Sequence, residues 1–282
     1  MKINSVKLVT FSPTGNSKKI ADTIANTINV HTETLDITLP ESKSKDFEEF
    51  QNELTIFASP VYLGRIPFEA AHRIRRLKAN NTPAILIVTY GNRAYEDALR
   101  ELGDIVQEVG FKPIAAGAFI GEHSMSEPKY PTAERRPDEK DISIAEAFTH
   151  KILDKYDKVD NPNDLIPVNT PGVNPYTLRA SLYDVRRLMG PRTNEDRCTV
   201  CGECVKVCPT GAISVKHLIA NLSPRASMDT YKVYTDEEAC LWCCACVRAC
   251  PTGARERRPR MLETSKRLNE RLAERKEPET FI

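Results

Sequence analysis

Nine cysteines in a chain of 282 residues carry the most specific chemistry in the sequence, and eight of them fall into two copies of one spacing. The first copy places Cys198, Cys201, Cys204 and Cys208 before Pro209. The second, 42 positions on, places Cys240, Cys243, Cys246 and Cys250 before Pro251. Both read C-x2-C-x2-C-x3-C-P, a run whose thiolates hold iron–sulfur clusters. Three thiolates on one tight loop can cap three corners of a cubane, and the fourth corner must be reached from elsewhere. A zinc ribbon needs two separated C-x2-C pairs and would leave half of these thiols unused. A disulfide framework wants a secreted chain, and nothing here points to export.

The doubled run resembles that of bacterial-type ferredoxins with two [4Fe–4S] clusters, in which the fourth cysteine crosses to the other cluster. The resemblance implies one cluster on Cys198, Cys201, Cys204 and Cys250, and another on Cys240, Cys243, Cys246 and Cys208. Two details differ between the copies. Gly202 follows the second cysteine of the first run, where close backbone approach favours glycine. Its counterpart is the ninth cysteine, Cys244, read as a small buried residue because eight thiols complete both clusters. Trp242, inside the second ligand loop, is expected to pack over that cluster.

Ahead of the cysteines, strand and helix signals alternate. Val6 to Phe11 reads as a buried strand, and Ile20, Ile24 and Ile28, with Ala21 and Ala25, give one helix face. Thr32 to Ile37 alternates as an edge strand. Leu54 to Ala58 and Ala84 to Val88 are continuous apolar runs, as in central parallel strands. A helix stripe (Ala98, Leu102, Ile105, Val109), a strand from Pro113 to Ile120 and a helix with Ala145, Phe148, Ile152 and Tyr156 follow. The expectation is a doubly wound five-stranded parallel α/β sheet over residues 1–158. Such sheets bind ligands outside the C-terminal ends of their strands.

Three of those ends carry unusual loops. Ser12-Pro13-Thr14-Gly15-Asn16-Ser17 opens into a helix, where free amides and the hydroxyls of Ser12, Thr14 and Ser17 could cradle a phosphate. Later come Ser59-Pro60-Val61-Tyr62-Leu63-Gly64 and Tyr90-Gly91-Asn92-Arg93-Ala94-Tyr95. In this order the loops resemble the phosphate loop and the two isoalloxazine loops of flavodoxins. The resemblance implies FMN, with its phosphate on Ser12, Thr14, Gly15, Asn16 and Ser17. The ring would lie among Pro60, Val61, Tyr62, Leu63, Gly64, Tyr90, Gly91, Asn92 and Tyr95. Tyr95 would stack on it, Tyr62 would cover the other face or edge, and Gly64 would offer its peptide to flavin N5. Flavodoxins commonly have an aspartate where Asn92 stands; with Arg93 next to it, a cation pointed at the ring would ease full reduction. His123, in the loop after the last strand, is a candidate proton donor to flavin or substrate.

Residues 159–193 read as a Pro/Asn-rich linker long enough to wrap a surface, with an amphipathic piece from Leu182 to Met189. Residues 194–256 read as a small α+β two-cluster ferredoxin domain with an insertion from Ser214 to Asp236, and 257–282 as a charged C-terminal helix. The net charge of +1 gives no expectation of nucleic-acid binding. No apolar run reaches membrane-spanning length, and Met1-Lys2-Ile3-Asn4 runs straight into a strand, so a cytoplasmic chain without an export leader is expected.

The whole resembles the flavodoxin–ferredoxin fusion proteins of anaerobic prokaryotes. That resemblance implies a soluble iron–sulfur flavoprotein passing electrons between a ferredoxin-like partner, two [4Fe–4S] clusters and FMN, converting one-electron into two-electron transfer. The alternatives are an FMN-dependent reductase of a small organic or corrinoid acceptor, and a redox sensor. A homodimer is compatible with either.

Overall fold

The computed structural model describes residues 2–44, 47, 49–51, 53–177, 189–218 and 230–282. Its centre is a six-stranded sheet. Strands β1 (Ser5–Thr10), β2 (His31–Asp36), β3 (Leu54–Pro60), β4 (Thr82–Tyr90) and β5 (Phe111–Ile120) run parallel in the order β2-β1-β3-β4-β5. That is the flavodoxin-like order, whose direction of winding reverses beside β1. Every residue of β3 and β4 is buried, because both faces of these strands are covered by helices. Helices α1 (Asn16–Ile28) and α4 (Glu139–Asp157) pack one face through Ile20, Ile24, Ile28, Phe148 and Ile152. Helices α2 (Phe68–Ile74) and α3 (Ala98–Glu108) pack the other through Ala70, Ile74, Leu99, Leu102 and Ile105.

After α4 the chain returns across this unit. Leu165 enters the α1–α4 core, Val168 N–H donates to Pro113 O at 2.9 Å, and Arg65 stacks over the Tyr176 ring at 4.2 Å. The amphipathic stretch expected from Leu182 lies outside the described residues except for Met189, which is buried beside Trp242.

The cysteine segment is built from β6 (Arg192–Thr193), α5 (Glu203–Lys206), β7 (Ile213–Leu218), β8 (Thr230–Thr235), α6 (Ala245–Arg248) and β9 (Arg255–Glu256). β6 pairs with β9 and β7 with β8, both antiparallel. The described part of the insertion is this antiparallel β7–β8 pair, and residues 219–229 lie outside the described residues. Helix α7 (Pro259–Arg271) follows and docks through Met261 and Ser265.

The C-terminal stretch holds more than the expected charged helix. After α7 the chain doubles back, and β10 (Glu279–Phe281) joins the edge of β5 as an antiparallel sixth strand. Three residues are too few for a readable alternation, so the strand depends on the β5 edge it covers.

Candidate functional site

At the C-terminal ends of β1, β3, β4 and β5 lies a cleft with an empty volume of about 390 Å3. Ser12, Pro13, Thr14, Asn16 and Ser17 line it from the first loop, Pro60, Val61 and Tyr62 from the second, and Thr89, Tyr90 and Gly91 from the third. Gly121, Glu122, His123 and Ser124 close it. The amides of Asn16 and Ser17 head α1, where no carbonyl of their own helix can reach them. Around them Ser12 Oγ accepts from Lys18 N–H at 3.1 Å, Ser17 Oγ bonds Thr89 Oγ1 at 2.6 Å, and Asn16 Nδ2 donates to Glu122 O at 3.0 Å. A concave set of helix-terminal donors suits a phosphate.

His123 takes up the space that a Cβ at position 91 would need: an added Cβ would lie 2.3 Å from its ring, so Gly91 is what lets the imidazole approach. Its Nδ1 accepts from Met125 N–H at 3.1 Å, which leaves Nε2 to carry the proton of the neutral ring. Burial, then the charges of Arg93 and Arg248, push its pKa down to about 4. At neutral pH the ring is then neutral, with its Nε2–H left as a hydrogen-bond donor.

Four of the residues read as ring contacts stand outside this cleft. The Tyr95 hydroxyl donates to Glu279 Oε2 on β10 at 2.8 Å, and the tyrosine packs beside Tyr90 and the sheet core. Asn92 is taken by the C-terminal chain: Nδ2 donates to Leu272 O and Glu274 O at 2.9 and 2.8 Å, and Oδ1 accepts from Lys276 N–H at 3.1 Å. Gly64 O accepts from Asp97 N–H at 3.1 Å, and Leu63 is exposed. Arg93 pairs with Glu96 at 2.8 Å, which offsets the free cation that the sequence suggests.

The second cysteine run is seated on the same cleft. Leu241 packs against the sheet core together with Val61. Arg248 reaches Glu122 at 3.3 Å. Tyr62 is the link between them: burial first, then the neighbouring thiols of Cys243 and Cys244, hold its hydroxyl well above the ordinary phenol range. Met125, in the loop that closes the cleft, packs with Trp242, Cys244 and Met261. Cys244 Sγ lies 3.6 Å from Met261 Sδ, inside that apolar cluster.

All nine cysteines are free thiols. Cys198, Cys201, Cys204 and Cys250 line one cavity with an empty volume of about 300 Å3, so the last cysteine of the second run stands with three of the first. Burial raises the Cys204 thiol, the charge of Arg255 opposes the rise, and Cys246, Cys198 and Cys250 add to it. Burial pushes Cys240 up to about 11, with Cys246 and Cys208 adding. Such thiols give up their protons to metal, not to water. Among the described residues no three His, Cys, Asp or Glu side chains close on a point suited to a single ion. Two buried donors beside the thiols, Trp242 Nε1 and Arg255 Nε, have no acceptor. An orphaned buried donor costs about 1–3 kcal/mol, and the inorganic sulfide of a cluster supplies acceptors there. The donor set fits a cubane.

Residues 197–254 match the family described as the 4Fe–4S dicluster domain. A comparison with curated proteins finds no match. Among solved structures, Flavodoxin 2 from Bacillus cereus in its oxidised form aligns at 14% identity over 54% of this chain and 99% of its own, TM-score 0.38. The Fusobacterium nucleatum flavodoxin bound to flavin mononucleotide aligns at 15% identity over 55% and 98%, TM-score 0.35. A Streptococcus pneumonia TIGR4 flavodoxin aligns at 15% identity over 54% and 99%, TM-score 0.32. The fold assignment rests on the strand order itself. The chain joins an α/β unit of flavodoxin-like strand order to a segment that matches the 4Fe–4S dicluster domain. Among the described residues no helix is long and apolar enough to cross a membrane.

Proposed function

We propose that the chain is an iron–sulfur flavoprotein that takes single electrons from a protein donor and collects them in pairs on FMN. The observation that carries this reading is the seating of the second cysteine run on the cleft, through Leu241, Arg248 and Tyr62. In this reading Cys198, Cys201, Cys204 and Cys250 hold one cluster, and Cys240, Cys243, Cys246 and Cys208 hold the other. The amides of Thr14, Asn16 and Ser17 and the hydroxyls around them hold the FMN phosphate, and Tyr62, Tyr90 and Gly91 border the ring. When bound, FMN supplies a centre that accepts one or two electrons, whereas each cluster passes one.

The residues of the chain do the rest. Leu241 and Trp242 exclude water between cleft and thiols, and His123 offers a neutral N–H to the cleft.

Anaerobic purification with iron, sulfide and flavin analysis tests the reading. The expected yield is about eight irons and one FMN per chain. One zinc per chain without labile sulfide would overturn the cluster assignment, and a chain that cannot be loaded with FMN would overturn the flavin assignment.

A further inference from the structure

The internal repeat extends past its cysteines. Cys208-Pro209-Thr210-Gly211-Ala212 and Cys250-Pro251-Thr252-Gly253-Ala254 are identical, and the next residue is Ile213 in one copy and Arg255 in the other. Both side chains are buried, at 4% and 3% exposure, so the substitution puts a full charge where the repeat calls for a hydrocarbon.

The arginine is held in place. Its Nη1 donates to Thr193 Oγ1 at 2.7 Å, and its Nη2 to Pro191 O and Thr235 Oγ1, both at 3.0 Å, and to Cys246 Sγ at 3.7 Å. Its described partners include no carboxylate. A buried cation without a counter-charge is strongly unfavourable, so an anion is required nearby. The thiols supply one only when they are ionised on a cluster. Arg255 also touches both cysteine sets: it lines the cavity of the first run, and its main-chain amide donates toward Cys250. Any residue would supply that amide, whereas the guanidinium donates to Cys246.

Cluster potentials follow net charge and hydrogen bonds to the sulfurs. A cluster gains one negative charge when it takes one electron, and a fixed cation on one of its sulfurs favours the reduced form. We propose that Arg255 is a positioning residue that sets the cluster potentials: its guanidinium on Cys246 Sγ makes the cluster of the second run the easier of the two to reduce. The cluster that Cys246 would ligate, on the run seated on the cleft, would then hold an incoming electron more tightly than the other. This rests on the reading that the eight thiols hold two clusters.

The test is an EPR-monitored anaerobic titration of the full chain with dithionite as the low-potential reductant. Wild type is compared with Arg255→Gln and Arg255→Lys, and Cys201→Ser identifies the first-run signal. With iron content unchanged, Arg255→Gln is expected to weaken reduction of the second-run cluster at least tenfold, about 59 mV for one electron, and to move the first-run couple less. Arg255→Lys, which keeps the charge, should stay within tenfold of wild type. Unchanged couples in Arg255→Gln, or a larger shift in the first-run couple, would overturn the proposal. So would a full loss in Arg255→Lys, the variant to rely on if Arg255→Gln does not fold. A wild type without labile sulfide would instead defeat the cluster reading itself, so the two failures are distinguishable.

Discussion

The two cysteine runs share one spacing and differ in what surrounds them. In the first run Cys201 is exposed, Cys198 half-buried and Cys204 and Cys208 buried; in the second no cysteine is exposed, with Cys240 and Cys250 half-buried and Cys243, Cys244 and Cys246 buried. At the turn that opens each short helix the backbone takes the same left-handed conformation, φ 79° at Gly202 and φ 58° at Cys244. In the outward run glycine adopts it without strain, and open space surrounds the position. The inward run accepts a side chain there at some conformational cost, because Met125, Trp242 and Met261 need a neighbour to pack on. Spacing fixes what the thiols can bind, and packing decides which set faces a partner and which faces the cleft.

The largest test of this division exchanges the crossing ligands. Cys208→Ala should lower iron from about eight to about four per chain and abolish the second-run EPR signal, while Cys250→Ala should remove the first-run signal. If Cys208→Ala removes the first-run signal instead, the crossing is wrong and the inward and outward sets must be redrawn.

Next comes the connection between the units. Arg73 on α2 is fully buried and donates to Ile37 O, Thr38 O and Pro209 O, each at 2.6 Å. It ties the end of β2 to the residue following Cys208. Arg73→Met should cost about 3–5 kcal/mol in denaturant unfolding of the loaded protein, since three buried carbonyls lose a charged donor and Glu69 loses its partner. Arg75→Ala, which breaks only the exposed pair with Glu108, should cost less than about 1 kcal/mol. Equal effects would mean that Arg73 does not join the units.

What could be read beforehand follows the same line between local and distant. The thiol spacing, the parallel strands and the loop from Ser12 to Ser17 are written in neighbouring residues, and the sequence shows them. The Tyr95 hydroxyl bonds Glu279, 184 positions away, and the Asn92 amide is bound by chain 180 to 184 positions away. No local pattern announces a returning C-terminal strand of three residues. The Arg73–Pro209 bond, spanning 136 positions, is hidden for the same reason. Arg255 was visible: comparing the repeat one residue past Ala212 and Ala254 shows a charge in place of isoleucine.

A smaller effect separates ligand from filler in the inward run. Cys244→Ala should keep about eight irons and lose about 1–2 kcal/mol, the cost of removing one buried sulfur from its contact with Met261. Loss of iron in this variant would make Cys244 a ligand and break the equivalence of the two runs.

The smallest effect concerns pH, where the inward run touches the cleft. His123 faces Arg93 and Arg248, with Glu96 beside the first and Glu122 beside the second. Its pKa lies at about 4 in the folded chain against 6.5 for the free side chain. Between those values the unfolded chain binds more protons, so stability rises with pH across the window. It is fully present above 6.5 and is lost as the pH falls toward 4. From pH 7 to pH 5 the loss should be about 1 kcal/mol after allowing for the partial exposure of the ring. His123→Gln should remove that slope from urea unfolding curves. Arg248→Gln should only soften it, since burial is the larger cause and Arg93 remains. If Arg248→Gln leaves the slope untouched, the second cysteine run does not act on the cleft electrostatically, and its influence there is confined to the packing of Leu241 and Trp242.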